Sequence, residues 1–293
     1  MSTSIFKTLK KLGLTSEQSR VQFNNRTRDV DDLKVWRDKI SGVIYIDDFY
    51  TGDNTYVRGN YRNDISIEKN NKKINYEKNL DAQRRFRSNL KFVEGKKILD
   101  FGCGSGEFLK LIQPYCNKVI GIELQQNYIE DLKNYGIECF NNLKGIKDNT
   151  LDLIVSFHVI EHLPNPLETL LELKGKIIHD GKILVEVPHA NDFLLSAAEC
   201  ENFKQFTLWS QHLILHTRES LYKMLKFVGL KNIQIEGVQR YPLSNHLNWI
   251  LKGKPGGHKS SLSTLESEEL FNAYKNSLSR INATDTLVAI ASV

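Results

Sequence analysis

From Lys97 onward, short apolar runs alternate with segments in which apolar residues recur every three or four positions. The runs read as buried strands and the recurrences as helices packed on them. Lys97–Phe101 predicts a first strand. The helix after it carries Phe108, Leu109 and Ile112 and stops before Pro114, which cannot continue it. Residues 118–124 form a second strand, followed by a helix bearing Tyr128, Ile129 and Leu132 and closed by Gly136. Residues 137–140 make a weak third strand, and Leu151–Phe157 a strong fourth. A helix over 167–178 leads through Gly181 to a fifth strand, 182–187. Thr217 caps a helix bearing Leu221, Leu225 and Val228, closed by Gly229. Residues 233–238 and 286–291 supply a sixth and a seventh strand. Such alternation predicts an α/β fold with a seven-stranded, mostly parallel sheet and helices on both faces.

Three stretches fall outside this repeat. Residues 1–90 predict a short amphipathic helix over 5–12, a second around 33–40, a strand over 42–50, a turn over 51–54, a return over 56–61 and a helix over 79–92. In that last helix Leu80, Phe86 and Leu90 make the apolar stripe, with Arg84, Arg85 and Arg87 beside it. The expectation is an N-terminal extension, 1–90, serving as a lid or an interface; Tyr50, Tyr56 and Tyr61 would line either. The domain proper, 91–293, carries insertions at 188–216 and 241–283 after strands five and six. Ligands of open α/β sheets bind beyond the carboxyl ends of the strands, so both insertions are expected to build a substrate pocket.

Composition narrows the setting. The chain has 293 residues, 40% hydrophobic and 26% charged, with a net charge of +5. That mild basicity does not call for nucleic acid. Cys103, Cys116, Cys139 and Cys200 show no C-x-x-C spacing, which argues against structural zinc and for a reducing compartment. With no secretory apolar segment and no run of the roughly 20 apolar residues that span a bilayer, a soluble, cytoplasmic protein without membrane insertion is expected.

The sharpest chemical signal is the segment I-L-D-F-G-C-G-S-G, residues 98–106. Glycines there allow a tight turn and close approach of a ligand to the backbone. A ligand-free β–α turn and a dinucleotide loop remain alternatives, but Asp100 before the first glycine disfavours a pyrophosphate and suits a cationic amine. The segment resembles the first motif of class I S-adenosylmethionine-dependent methyltransferases. Glu123 ends the second strand 21 residues after Gly102, Asn142 and Leu143 follow the third, and F-H-V-I-E-H, 157–162, follows the fourth, all as in that family. The layout is also similar to bacterial methyltransferases of surface-polysaccharide and nucleotide-sugar biosynthesis.

The resemblance implies a Rossmann-like domain that binds S-adenosyl-L-methionine and releases S-adenosyl-L-homocysteine. It implies that Asp100, Gly102 and Gly104 hold the methionine part, with Cys103 in the same turn. Glu123 would take the ribose, Leu124 would pack on the adenine, and Asn142 and Leu143 would meet its edge. The backbone of Phe157 would face the amine and sulfonium, with His158 next to it. The third strand lacks the acidic residue often present in the family. His158, Glu161 and His162 resemble the divalent-ion site of some quinone O-methyltransferases; the alternative, taken here, is a loop in which His162 faces substrate and no metal is bound.

Methyl transfer needs alignment, worth about 7–11 kcal/mol, and a base where the nucleophile is a hydroxyl. His162, His189, His212, His216 and His246 are the candidates for that base; His162 and His212 are preferred as catalytic. Arg240, His246, Lys252, Lys254 and His258, in a basic, glycine-rich stretch, are read as binding substrate, a phosphate above all; a solvated loop is the alternative. Together these predict O-methylation of a small acceptor bearing phosphate or sugar: a nucleotide-activated sugar or a capsule or lipopolysaccharide precursor. A nucleic-acid methyltransferase would want a broader basic face, a non-catalytic subunit would be free to lose Asp100 and Glu123, and a hydride-transfer enzyme would bind NAD.

Overall fold

A computed structural model describes residues 4–57 and 71–293. The chain opens with helix α1 (Ile5–Lys11), capped by Ser4. Three short strands follow: β1 (Arg20–Asn24), β2 (Val35–Asp38) and β3 (Ile44–Ile46). The helix expected around 33–40 is therefore a strand. Val35 and Asp38 are buried, and Val35, Trp36 and Arg37 pair with β3, so ladder bonds outweigh an ambiguous local pattern. The turn expected at 51–54 runs directly into α2 (Asp53–Val57). That helix takes up Tyr56 and Val57 of the expected return strand; the remainder, with Tyr61, lies outside the described residues.

The long helix α3 (Asn71–Val93) leads to β4 (Lys97–Phe101), α4 (Glu107–Ile112), β5 (Lys118–Ile122), α5 (Gln126–Asn134) and β6 (Glu138–Phe140). The second half runs through β7 (Leu151–Phe157), α6 (Pro166–Lys176) and β8 (Ile177–Pro188). Helices α7 (Phe193–Ser196) and α8 (Glu201–Thr207) and strand β9 (Ile214–Leu215) form the first insertion. Then come α9 (Arg218–Phe227), β10 (Lys231–Val238), α10 (Leu243–Lys252), α11 (Glu268–Arg280) and β11 (Thr286–Ser292). Thr217 and Ser220 form a reciprocal capping box at the start of α9.

The seven-stranded sheet has the order β10-β11-β8-β7-β4-β5-β6. Its five strands from β8 to β6 are parallel, and β11 runs antiparallel between β8 and β10. Connections leave β4 toward β5 and β7 toward β8, in opposite directions. The crevice above their carboxyl ends is the switch point at which such sheets bind ligands.

The N-terminal segment and the first insertion fold together. Strands β1, β2, β3 and β9 form a second, antiparallel sheet in which Ile44 pairs with Leu215 and Tyr45 with Ile214. Ile5, Phe6 and Leu9 of α1 join Leu221, Met224 and Leu225 of α9 in the main apolar core. No described helix is long and apolar enough to cross a membrane.

Candidate functional site

The turn after β4 is built from three residues in the left-handed region: Gly102 (φ +81°), Gly104 (+57°) and Gly106 (+76°). A Cβ on Gly102 would lie 2.4 Å from Val159 Cγ2, so a side chain is excluded there. The amides of Gly102 and Cys103 donate to the Ile122 carbonyl, which ties the turn to β5. Glu123, buried at the end of β5, accepts from the amides of Gly104, Leu124 and Gln125 at 2.8–2.9 Å. Leu124 is 40% exposed beside it. Asn142 is exposed and caps the turn at Lys144, whereas the Leu143 side chain is buried in the main core. The Cys103 sulfur lies 4.0 Å from that of Cys139, so Cys103 presents backbone.

Asp100 is buried, and its Oδ1 has no hydrogen-bond partner among the described residues. Burial pushes this carboxyl up to about 7; Arg85 opposes the shift and Glu123 adds to it. A buried carboxyl with an unpartnered oxygen beside the glycine turn fits a ligand carrying a cationic amine.

Helix α3 lays Asp81, Arg84 and Arg85 over the ends of β7 and β8. Glu186 of β8 is buried and accepts from Arg84 Nη2 at 2.9 Å and from Arg85 Nη2 at 2.6 Å. Burial alone would raise its pKa; Arg85 and His158 hold it well below the ordinary value. Arg85 also sits 4.4 Å over the Phe157 ring. Arg240, entering after β10, lies 3.3 Å from both Asp81 Oδ2 and His158 Nε2. Arg84, Arg85, Asp81 and Glu186 were not read as site residues in the sequence; the only signal was three arginines flanking one apolar stripe.

His158 takes a left-handed backbone, φ +55°, that non-glycine residues rarely adopt. Its ring bridges Glu161 Oε1 and Glu186 Oε1, each at 3.2 Å. Burial and Arg240 disfavour its protonation, but the two carboxylates prevail and its pKa is raised. Glu161 has no exposed surface, and its Oε2 has no partner among the described residues. Burial would raise this carboxyl, yet His158 and His162 hold it down to about 2.

His162 shares a hydrogen bond of 2.8 Å between Nδ1 and the Gln211 carbonyl. A neutral ring donating there carries its lone pair on Nε2. Around it stand the rings of Tyr56 (6.0 Å), Trp209 (5.9 Å) and His212 (5.0 Å). His212 Nδ1 is buried without a partner among the described residues, and burial, then His162, push this imidazole down to about 3. The two residues preferred as catalytic from sequence, 50 positions apart, are thus neighbours.

Other expected residues lie elsewhere in the packing. His189 and His216 are buried and bonded to the Thr284 carbonyl and the Ser220 hydroxyl. His246, read as binding substrate, stacks on Phe193 with Nδ1 at 2.7 Å from the Tyr274 hydroxyl and Nε2 against Gln239. It is 2% exposed with both nitrogens engaged, so it braces the second insertion. Lys252 and Lys254 are exposed, but the glycines between and after them serve packing. Gly253 ends α10 in the left-handed conformation. The Gly256 amide donates to Asn245, which His258 also contacts, and Gly257 lies against the Ser244 carbonyl. The loop closes on α10 instead of opening a row of amides to an anion. A separate groove of about 670 Å³, lined by Arg37, Lys39, Asn191 and Arg218 among others, contains none of the expected site residues.

Comparison with known proteins bears on the family and the fold. The family model described as "Methyltransferase domain" matches residues 74–235, more than half of the chain. A tRNA U34 carboxymethyltransferase of Trichlorobacter lovleyi is 27% identical over 32% of this chain and 32% of its own length. A ubiquinone biosynthesis O-methyltransferase of Coxiella burnetii is 24% identical over 54% of this chain and 76% of its own. An uncharacterized protein of Methanocaldococcus jannaschii is 36% identical over 40% of this chain and 52% of its own length, so the chain spans about half of this relative and about a third of the tRNA enzyme. The crystal structure of a SAM-dependent methyltransferase from Archaeoglobus fulgidus shares the fold, with a TM-score of 0.53 at 21% identity over 73% of this chain and 94% of that one. The chain belongs to the methyltransferase-domain family and has the Rossmann-like fold of the S-adenosylmethionine-dependent methyltransferase it resembles.

Proposed function

We propose that this enzyme transfers the donor's methyl group to an oxygen of a small, planar, polar acceptor held among Tyr56, Trp209, His162 and His212. The observation that supports this reading is the ring cluster just past β7, with His162 oriented by the Gln211 carbonyl. Flat aromatic faces favour a planar partner. In this reading the donor lies along the glycine turn. Its amine meets Asp100 and the backbone of Gly102, Cys103, Gly104, Phe157 and His158, and its adenosine lies by Glu123, Leu124, Asn142 and the Leu143 backbone. The sulfonium is already activated, so the protein aligns the acceptor oxygen with the methyl group and excludes water. The acceptor's proton leaves at the group formed by Glu161, His162 and His212.

A phosphorylated or nucleotide-sugar acceptor loses support, because the loop at Lys252 and Lys254 is closed and Arg240 is committed to Asp81 and His158. The relative named for ubiquinone biosynthesis is an O-methyltransferase matched over 54% of the chain and 76% of its own length; the tRNA U34 carboxymethyltransferases are matched over 32% to 54% of the chain and 32% to 52% of their own length. The test is release of S-adenosylhomocysteine with dihydric phenols, nucleotide sugars and tRNA offered separately. Turnover of a phenol, lowered at least about tenfold in Trp209→Ala, is expected from loss of an aromatic contact. Turnover of only tRNA or only nucleotide sugars would refute the proposal.

A further inference from the structure

We infer that Glu161, His162 and His212 bind one divalent transition-metal ion at the acceptor end of the crevice. A carboxylate oxygen of Glu161 and ring nitrogens of His162 and His212 all lie within 4.8 Å of one another. Such ligands reach a metal at about 2.0–2.2 Å, so small side-chain rotations close all three on one ion.

Two further observations point to a missing partner. Glu161 Oε2 and His212 Nδ1 are both buried and both lack a hydrogen-bond partner among the described residues. Buried polar atoms are seldom left so, and two of the three clustered side chains each carry one. The Nδ1 of His162 is engaged by the Gln211 carbonyl, an outer hydrogen bond of the kind that fixes the orientation of a metal-bound imidazole. His158, the nearest alternative ligand in sequence, is instead drawn onto Glu186 and supports Glu161 from outside. His212 replaces it, arriving from the far side of the first insertion. The expectation of no metal at this motif rested on residues 158–162 alone.

The donor set selects the ion. Two imidazoles and one carboxylate suit zinc, cobalt, iron or manganese, whereas magnesium and calcium prefer all-oxygen shells. Three protein ligands leave room for an acceptor oxygen. An acceptor hydroxyl held there is acidified. It gives its proton to water, its oxygen forms the new bond to the methyl carbon, and the C–S bond breaks with its electrons to sulfur. The neutral thioether leaves and the ion is unchanged.

This role rests on the acceptor placement proposed above, but ion binding does not. The full-length protein, stripped with a chelator, is titrated with Co²⁺ by calorimetry and visible absorption. One ion per chain with a ligand-field band is expected. Glu161→Gln and His212→Asn should each weaken binding at least about tenfold, while S-adenosylhomocysteine still binds both variants and reports that they are folded. No uptake of Co²⁺ or Zn²⁺ by the wild type, or equal uptake by a folded variant, would overturn the site. The wild-type titration decides by itself if a variant fails to fold.

Discussion

On the proposed donor assignment, Asp100 would couple donor binding to protonation. Its carboxyl, pushed up to about 7 by burial, is close to half protonated at neutral pH. On the donor assignment proposed here, a cationic amine beside it favours the charged form. S-adenosylhomocysteine should therefore bind with release of nearly one proton at pH 6. Affinity should fall by up to about tenfold per unit as pH drops below 7 and level off above it. Calorimetry in two buffers of different ionisation enthalpy measures the release, and Asp100→Asn should abolish both the release and the slope. A pH-independent affinity would detach Asp100 from the amine. At this scale the sequence was most legible where the backbone makes the site. Gly102 is required because a Cβ there meets Val159, and Glu123 because it holds the turn's amides; both follow from a local pattern. His162 and His212 were legible as residue types but not as a pair, since only the folded first insertion brings their rings to 5.0 Å.

Helix α3 shows what an element adds beyond its residues. Its apolar stripe was readable, but the partner of its arginines sits about 100 positions away on β8. Glu186 gathers Arg84, Arg85 and His158 in a buried setting, so removing its charge leaves two guanidinium groups and an imidazole without their shared acceptor. Glu186→Gln should destabilise the fold by about 3–5 kcal/mol, the range for breaking a buried pair, read as a lower denaturation midpoint. Loss below 1 kcal/mol would mean that solvent already screens the network. Most of the parallel strands were legible because runs such as Leu151–Phe157 are mainly apolar, whatever their partners, although β8 begins five residues before the expected start. β2 was misread and β9 missed for the opposite reason. Each is four residues or fewer, and each becomes a strand only through pairing across the chain, Val35 with Ile46 and Leu215 with Ile44.

At the scale of the whole molecule, the N-terminal segment and both insertions converge on the carboxyl side of the sheet, where their polar groups are buried together. Asp192, at the head of the first insertion, caps α7 through the Leu194 amide. Asp285, just before β11, accepts from the amides of Arg240 and Tyr241 at the start of the second. Burial, and then the nearby Asp285, push the Asp192 carboxyl up to about 7. The sign of the consequence follows from linkage. A carboxyl whose folded pKa exceeds its unfolded value near 4 stabilises the protein fully below pH 4 and progressively less as pH rises toward 7. Across that window this group removes up to about 1.4 kcal/mol per pH unit. For a chain of this size that amounts to roughly 2–4 °C in Tm per unit. Asparagine keeps the capping oxygen and carries no charge. Asp192→Asn should therefore match the wild type near pH 4 and melt several degrees higher at pH 8. An equal Tm for both proteins at pH 8 would mean that Asp192 is ionised at no cost, and that the junction of the insertions with the sheet is wetter than its packing implies.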